Sequence, residues 1–284
     1  MTNKTVLITG TSTGLGLETA ILMAKKGYNV YATMRNLDKQ NILLNAAKSA
    51  KVALQIKQLD VTDSNSVTHT VNEILLEAGT IDILINNAGA GFVRSTEQAT
   101  EEEMMWQLNL NLMGVMRMTK AVLPTMREQR SGHIINISSV GGLVGQPFNE
   151  IYCATKFGVE GYTEALASYV QPHFNVKFTA IEPAGISSEF SNSAFAQITS
   201  TGGILEDEYK PLLESYINGF QERSKTNKAQ TPAEVAEVVV AVSEMNEPPI
   251  RIRTSDFAET FTQLKTQADP DGKLLQEQVR QLIQ

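Results

Sequence analysis

Hydrophobic positions change their spacing along this chain in regular alternation. Short β-branched and aliphatic runs, such as Thr5-Val6-Leu7-Ile8-Thr9, give way to longer stretches in which apolar residues return every three or four positions, as in Leu17, Ala20, Ile21 and Ala24. The first spacing suits a strand buried on both faces and the second an amphipathic helix. It predicts strands near residues 4 to 9, 28 to 33, 52 to 58, 81 to 85, 132 to 138, 175 to 181 and 249 to 253. Helices are predicted near 14 to 26, 64 to 78, 101 to 129, 151 to 170 and 231 to 244. Such βα units must lay helices on both faces of a parallel sheet, so the expected fold class is α/β, doubly wound.

Three segments stand out from this alternation. Thr231-Pro232-Ala233-Glu234 reads as a helix start, with Thr231 as N-cap, Pro232 at the first helical position and Glu234 closing a capping box. Residues 187 to 230 carry no strong strand signal but hold Phe190, Phe195, Tyr209, Tyr216 and Phe220. That suits either a lid over an apolar ligand or helices packing their aromatics on the core. At the end, Leu274, Leu275, Val279, Leu282 and Ile283 form a helical apolar stripe that would dock on the same domain, on a partner subunit or on a membrane surface.

Composition narrows the function classes. A chain of 284 residues with 42% hydrophobic positions can bury a sizeable core as one domain, and the net charge of −7 with scattered basic residues argues against nucleic acid as a partner. Cys153 is the only cysteine, and His69, His133 and His173 lie far apart, so we expect a reducing compartment and no metal. The first strand begins within a few residues of Met1, and the longest dense apolar stretch, Val238 to Val242, is too short for a membrane span. A cytoplasmic protein is expected.

The first candidate chemistry follows the first strand. Thr9-Gly10-Thr11-Ser12-Thr13-Gly14-Leu15-Gly16 opens the first helix, where glycines permit a tight turn and backbone N–H groups can approach a pyrophosphate at the helix N-terminus. The second strand ends at Met34-Arg35-Asn36, with a cation in place of the acidic residue that binds an NAD ribose. Arg35 suits a 2′-phosphate, so NADP(H) is the preferred cofactor, with NAD(H) left open. Asp60-Val61, after the third strand, would accept from the adenine amino group or simply orient the next turn. Asn87, Ala88 and Gly89, after the fourth strand, would admit the adenosine half of the cofactor and satisfy exposed backbone groups.

The second is a helical pair. Tyr152 and Lys156 stand four apart on one helical face, where the ammonium can reach the ribose and the phenol. Lowering a phenol from about 10 to roughly 7 requires about 4 kcal/mol, which a nearby cation and an oxidised nicotinamide would supply. Ser138-Ser139 ends the preceding strand at the carboxyl edge of the sheet. Ser139, thirteen residues before Tyr152, is the expected donor to a substrate oxygen, because successive strand residues point opposite ways. Asn111 would hold a water toward Lys156 or cap a kink.

Together, TGxxxGxG at Thr9 to Gly16, NNAG at Asn86 to Gly89, Asn111, Ser139 and Tyr152-xxx-Lys156 resemble the short-chain dehydrogenase/reductase family over about residues 4 to 250. The resemblance implies a seven-stranded Rossmann sheet, an Asn111-Ser139-Tyr152-Lys156 proton relay and a homodimer or homotetramer. Tyr31-Ala32-Thr33-Met34-Arg35 and the run from Gly145 to Ala154 resemble its hydroxysteroid and retinol dehydrogenase branch, implying an apolar ketone, aldehyde or secondary alcohol as small-molecule substrate. Pro183, Gly185, Ile186 and Ser188 fall where the family binds the nicotinamide. Two features depart from the pattern: Pro183-Ala184-Gly185 replaces Pro-Gly, and Thr13 stands where many NADP-dependent members carry a second base. On this reading residues 1–254 form the Rossmann domain, including the lid at 187–230, and 255–284 a helical extension. A cofactor-binding sensor without turnover and a non-redox lyase or epimerase are the alternatives on the same fold.

Overall fold

The computed structural model describes residues 4–187, 199, 203–226, 229–274 and 277. Among these, strands Thr5–Thr9 (β1), Asn29–Met34 (β2), Gln55–Gln58 (β3), Ile83–Asn86 (β4), Gly132–Ile137 (β5), Val176–Glu182 (β6) and Arg251–Arg253 (β7) form one seven-stranded sheet in the order β3-β2-β1-β4-β5-β6-β7. Every pairing is parallel. The chain reverses its winding between β1 and β4, which opens a crevice at the carboxyl ends of those strands. Both central strands are buried at every position, which is why they read as unbroken apolar runs.

The helices are Gly14–Lys25 (α1), Gln40–Ala50 (α2), Ser64–Ala78 (α3), Glu101–Leu108 (α4), Gly114–Gln129 (α5), Glu150–Phe174 (α6), Lys210–Thr226 (α7), Pro232–Glu244 (α8) and Asp256–Thr266 (α9). Strand alternation divides the core in two. Leu7, Leu84, Ile134 and Phe178 meet Val67, Val71 and Ile74 of α3, Met118 and Val122 of α5 and Leu166 of α6. Val6, Ile8, Ile83 and Ile85 face the other way, onto Leu17, Ala20 and Ile21 of α1 and Val239 and Val242 of α8. This is the doubly wound Rossmann arrangement. No helix among the described residues is long and apolar enough to cross a membrane.

Thr231 accepts the Glu234 N–H at 3.2 Å while the Glu234 carboxylate accepts the Thr231 N–H at 2.7 Å. Thr231→Ala is therefore expected to cost about 1 kcal/mol of stability, read as a lower midpoint in urea unfolding with unchanged slope.

Three elements differ from the sequence expectation. Helix α2 was not anticipated; it buries only Leu43 and Ala47, a stripe too narrow to register as periodicity. Strand β3 begins at Gln55, and the residues at both its ends are exposed, as an edge strand permits. The single helix expected over 101 to 129 is broken by a π turn, Asn109–Met113, closed by the Gly114 N–H on Asn109 O. Gly114 sits hard against Val61, where an added Cβ would lie 2.9 Å from Val61 Cγ2. In the 187–230 segment, Phe190, Phe195 and the ring of Phe220 lie outside the described residues. So do Leu275, Val279, Leu282 and Ile283 of the terminal stripe, while Leu274 is exposed.

Candidate active site

The glycine loop is built by its neighbours. Gly10 and Gly14 adopt φ of 71° and 60°, the left-handed region glycine enters without strain. Asn87 Nδ2 donates to Thr9 O and Gly10 O, both at 2.9 Å, and Thr9 Oγ1 accepts the N–H groups of Asn87 and Ala88 at 3.0 Å. The strand-end asparagine thus holds the loop from below. At Gly16 a Cβ would stand 2.3 Å from Gly10 O, so only glycine fits. Thr13, the N-cap of α1, makes no side-chain cap, and Leu15 and Gly16 follow with no acidic residue in the first turn. The N–H groups there suit a phosphate.

At the adenosine end, Arg35 is exposed directly after β2. Asp60 Oδ1 accepts both the N–H of Thr62, at 2.9 Å, and its hydroxyl, at 2.6 Å. One of its oxygens therefore shapes the turn, one of the two roles the sequence left open. Val61 is buried and wedges against Gly114.

Ser139 and Tyr152 meet as the strand-end spacing predicts: Ser139 Oγ, which accepts the Gly141 N–H at 3.0 Å, lies within hydrogen-bonding reach of the phenol. Ser138 turns the other way, to lie beside Glu160. Burial pushes the Tyr152 phenol up to about 12, with the Ser139 hydrogen bond pulling against it. In the protein chain by itself desolvation outweighs the polar contact; the lowering toward 7 is expected of the cation and an oxidised nicotinamide together. Lys156 is buried, donates from Nζ to Ile137 O at 2.8 Å and lies 5.7 Å from the centre of the Tyr152 ring. Burial lowers its ammonium to about 8.

Asn111 sits in the π turn, almost wholly buried. Its amide clips the Ala90 backbone, accepting the N–H and donating to the C=O, each at 2.9 Å. It also donates to Thr155 Oγ1 at 3.4 Å, which donates to Tyr152 O at 2.7 Å. The side chain therefore ties the loop after β4 to the helical turn that carries Tyr152. Thr155 was not singled out from the sequence, nor was Thr9 given its clamping role.

Beyond β6, Pro183 O accepts the Val140 N–H at 3.0 Å. Gly185 O accepts the Gln230 N–H at 3.1 Å, the Ser187 N–H reaches Gln230 O at 2.8 Å, and Ile186 bridges to Gln230. Ser188 lies outside the described residues. A cleft of about 1010 Å³ opens between the loop at 145–148, α6 and α7, walled by Phe148, Phe157, Leu212 and Tyr216. Gln146 lines it and reaches back toward Gly141, beside Ser139 and Tyr152. Tyr209 donates to Glu97 at 2.7 Å and Gln98 to Asp207 at 2.8 Å, so the approach to α7 is latched to the loop before α4 by hydrogen bonds, while Tyr216 packs its ring on Phe148.

The family model for short chain dehydrogenases matches residues 4–199. Retinol dehydrogenase 8 of Bos taurus is 38% identical over 277 residues, covering 95% of this chain and 87% of that protein. The 17-beta-hydroxysteroid dehydrogenase type 1 of Mus musculus is 34% identical over 276 residues, covering 94% and 78%. A short-chain dehydrogenase structure from Streptomyces avermitilis superposes with a TM-score of 0.77 at 27% identity, covering 98% of this chain and 97% of that one. With the Ser139–Tyr152–Lys156 grouping set at the sheet's carboxyl edge beside a glycine loop, these matches place the chain in the short-chain dehydrogenase family, among oxidoreductases of alcohol and carbonyl groups, with the retinol and hydroxysteroid dehydrogenases among its relatives.

Proposed function

We propose that this chain is an NADP(H)-preferring reductase of apolar ketones or aldehydes of steroid or retinoid size. The carrying observation is Ser139 and Tyr152 within hydrogen-bonding reach of each other beside a buried Lys156, with Gln146 standing between them and an aromatic-walled cleft. Ser139 and Tyr152 donate to the substrate oxygen and hold it as negative charge develops there. Tyr152 then gives its phenolic proton to that oxygen, while Lys156 supplies positive field and a donor for the ribose. The nicotinamide, when bound, supplies the reducing equivalent to the carbonyl carbon. Oxidation of the alcohol is the same path reversed. Asn111 positions the Tyr152 turn through Thr155, and the loop from Pro183 to Ile186, with Ser188, flanks the nicotinamide.

Gly10, Ser12, Gly14, Leu15 and Gly16 hold the pyrophosphate, and Asp60, Val61, Asn87, Ala88 and Gly89 border the adenosine. The NADP(H) preference rests on Arg35, because a charge-assisted contact is worth about 1.5 to 3 kcal/mol. Arg35→Ala is expected to weaken NADP(H) roughly 10- to 150-fold and NAD(H) far less. Fluorescence titration with each cofactor checks this, and an unchanged ratio would remove the preference. The names of the relatives, one a retinol and one a hydroxysteroid dehydrogenase, support an apolar substrate. Residues 1–254 carry this chemistry with 187–230 as cover, and 255–284 extend it. The exposed Trp106 favours a homodimer or homotetramer, and a lone buried thiol, Cys153, fits the cytoplasm. The reading is tested by following NADPH or NADH absorbance with carbonyls ranging from small aliphatics to steroids and retinal. Faster oxidation of NADPH with the bulky substrates supports it; no turnover with any of them, despite cofactor binding, favours the sensor.

A further inference from the structure

Behind the catalytic lysine lies a buried charge cluster that this reaction does not use. Glu160 stands one helical turn after Lys156, and Glu182 ends β6. Their side chains are 5% and 0% exposed, and the two carboxyl groups lie within hydrogen-bonding reach of each other. Both oxygens of Glu160 and Oε1 of Glu182 lack a donor of good geometry. Two adjacent carboxylates out of water cannot both stay ionised, and one proton between them supplies the missing donor.

The neighbours decide who holds it. Arg253 NH1 is 3.2 Å from Glu182 Oε2, and Arg251 adds positive field from the same strand. Glu182 is therefore the anion. Glu160 faces Ser138 from the end of β5 and Glu164 from its own helix, while the ammonium of Lys156 is taken up by Ile137 O. Further out, Glu259 of α9 pairs with Arg253 at 3.0 Å and Asp269 approaches Arg251 at 3.8 Å, so neither arginine is spare to neutralise a second anion.

We propose that Glu160 is a positioning residue which stays a neutral acid, donating its proton to a hydrogen bond with Glu182, and thereby leaves the Lys156 ammonium free to act on Tyr152 and the ribose. Ionised, Glu160 would draw Lys156 along the helix and cancel its field at the phenol. The proton then leaves to bulk base. The kinetic part rests on the reductase reading; the shared proton does not.

Burial holds Glu160 well above the usual carboxylate range, while Arg253 pulls Glu182 back against the same effect. An acid whose folded value is raised contributes stability that is full below its unfolded value, near about 4, and is lost as pH climbs to the folded value. Wild type should therefore lose melting temperature between about pH 5 and 7.5, and Glu160→Gln should lose less over that range. Infrared spectra of the full chain with 13C-labelled glutamate should show a protonated carboxyl band at pH 7, absent from Glu160→Gln. The wild-type band alone suffices if the variant fails to fold. In reductase assays, Glu160→Gln, which fixes the neutral state, should remove any part of the alkaline fall of kcat that precedes the loss of the Lys156 charge near 8, with the KM for NADPH little changed. No acid band at pH 7, or equal pH slopes of melting, overturns the shared proton. A shared proton with an unmoved kcat profile overturns the positioning role. Absence of turnover in wild type, with the band present, fails the reductase reading and with it the kinetic part alone.

Discussion

Tyr152→Phe is expected to cut kcat by about 10²- to 10⁴-fold while cofactor affinity is retained, because it removes the acid and leaves the ring in place. Single-turnover kinetics with NADPH and a fluorescence titration separate the two effects. The pH dependence tests the same assignment from another side. Reduction uses the neutral phenol, which burial keeps protonated up to about 12, so its rate should be flat through neutrality. Oxidation uses the phenolate, so its rate should climb with pH over the same range. Lys156, held near 8 by burial, loses its charge above that value, and reduction should fall there although Tyr152 is still protonated. A reduction rate that instead rises with pH would exclude the phenol as the acid.

Gly16→Ala is expected to abolish tight cofactor binding and to cost roughly 1 to 3 kcal/mol of stability, the usual penalty of overpacking. The new methyl would meet Gly10 O at 2.3 Å and Asn87 Nδ2 at 2.5 Å, and neither is the loose end of a long side chain. Relief requires breaking the Asn87 bonds to Thr9 O and Gly10 O, which are what shape the loop. Gly27→Ala is the control: Gly27 also has positive φ, at 86°, but no atom lies within 4 Å of its added Cβ. Its cost is backbone strain without loss of cofactor. Calorimetric titration with NADPH and urea melts distinguish the pair, and equal affinities in both variants would sink the steric argument.

Much of this was legible because the signals are local. The central strands announce themselves as apolar runs, and Thr231 to Glu234 specifies its own cap. Ser139 over Ser138 follows from strand alternation alone, and the two serines do face opposite ways, one to Tyr152 and one to Glu160. What escaped was decided by tertiary contacts. The break in the helix at Asn109 depends on Asn111 meeting Ala90 across the fold. The direction of the Tyr152 shift depends on burial, which spacing does not reveal. Glu160 left a trace that went unused: Tyr152, Lys156 and Glu160 recur every four residues, placing an acid on the inward face of a helix. Its partner Glu182 is on another strand and could be found only in the folded chain.

The pairing at Gln230 bears on how such a scaffold changes substrates. A 2.8 Å hydrogen bond joins Ser187 to Gln230, and Gln230 Nε2 is anchored in turn on Thr254 O. Whatever length of chain runs between them begins and ends at one place, so its ends exert no pull on β6 or α8. Doubling such a loop costs only about 0.6 kcal/mol in closure entropy. On the proposed function, segments of different length and composition can therefore be grafted between these two residues while Ser139, Tyr152 and Lys156 stay where they are.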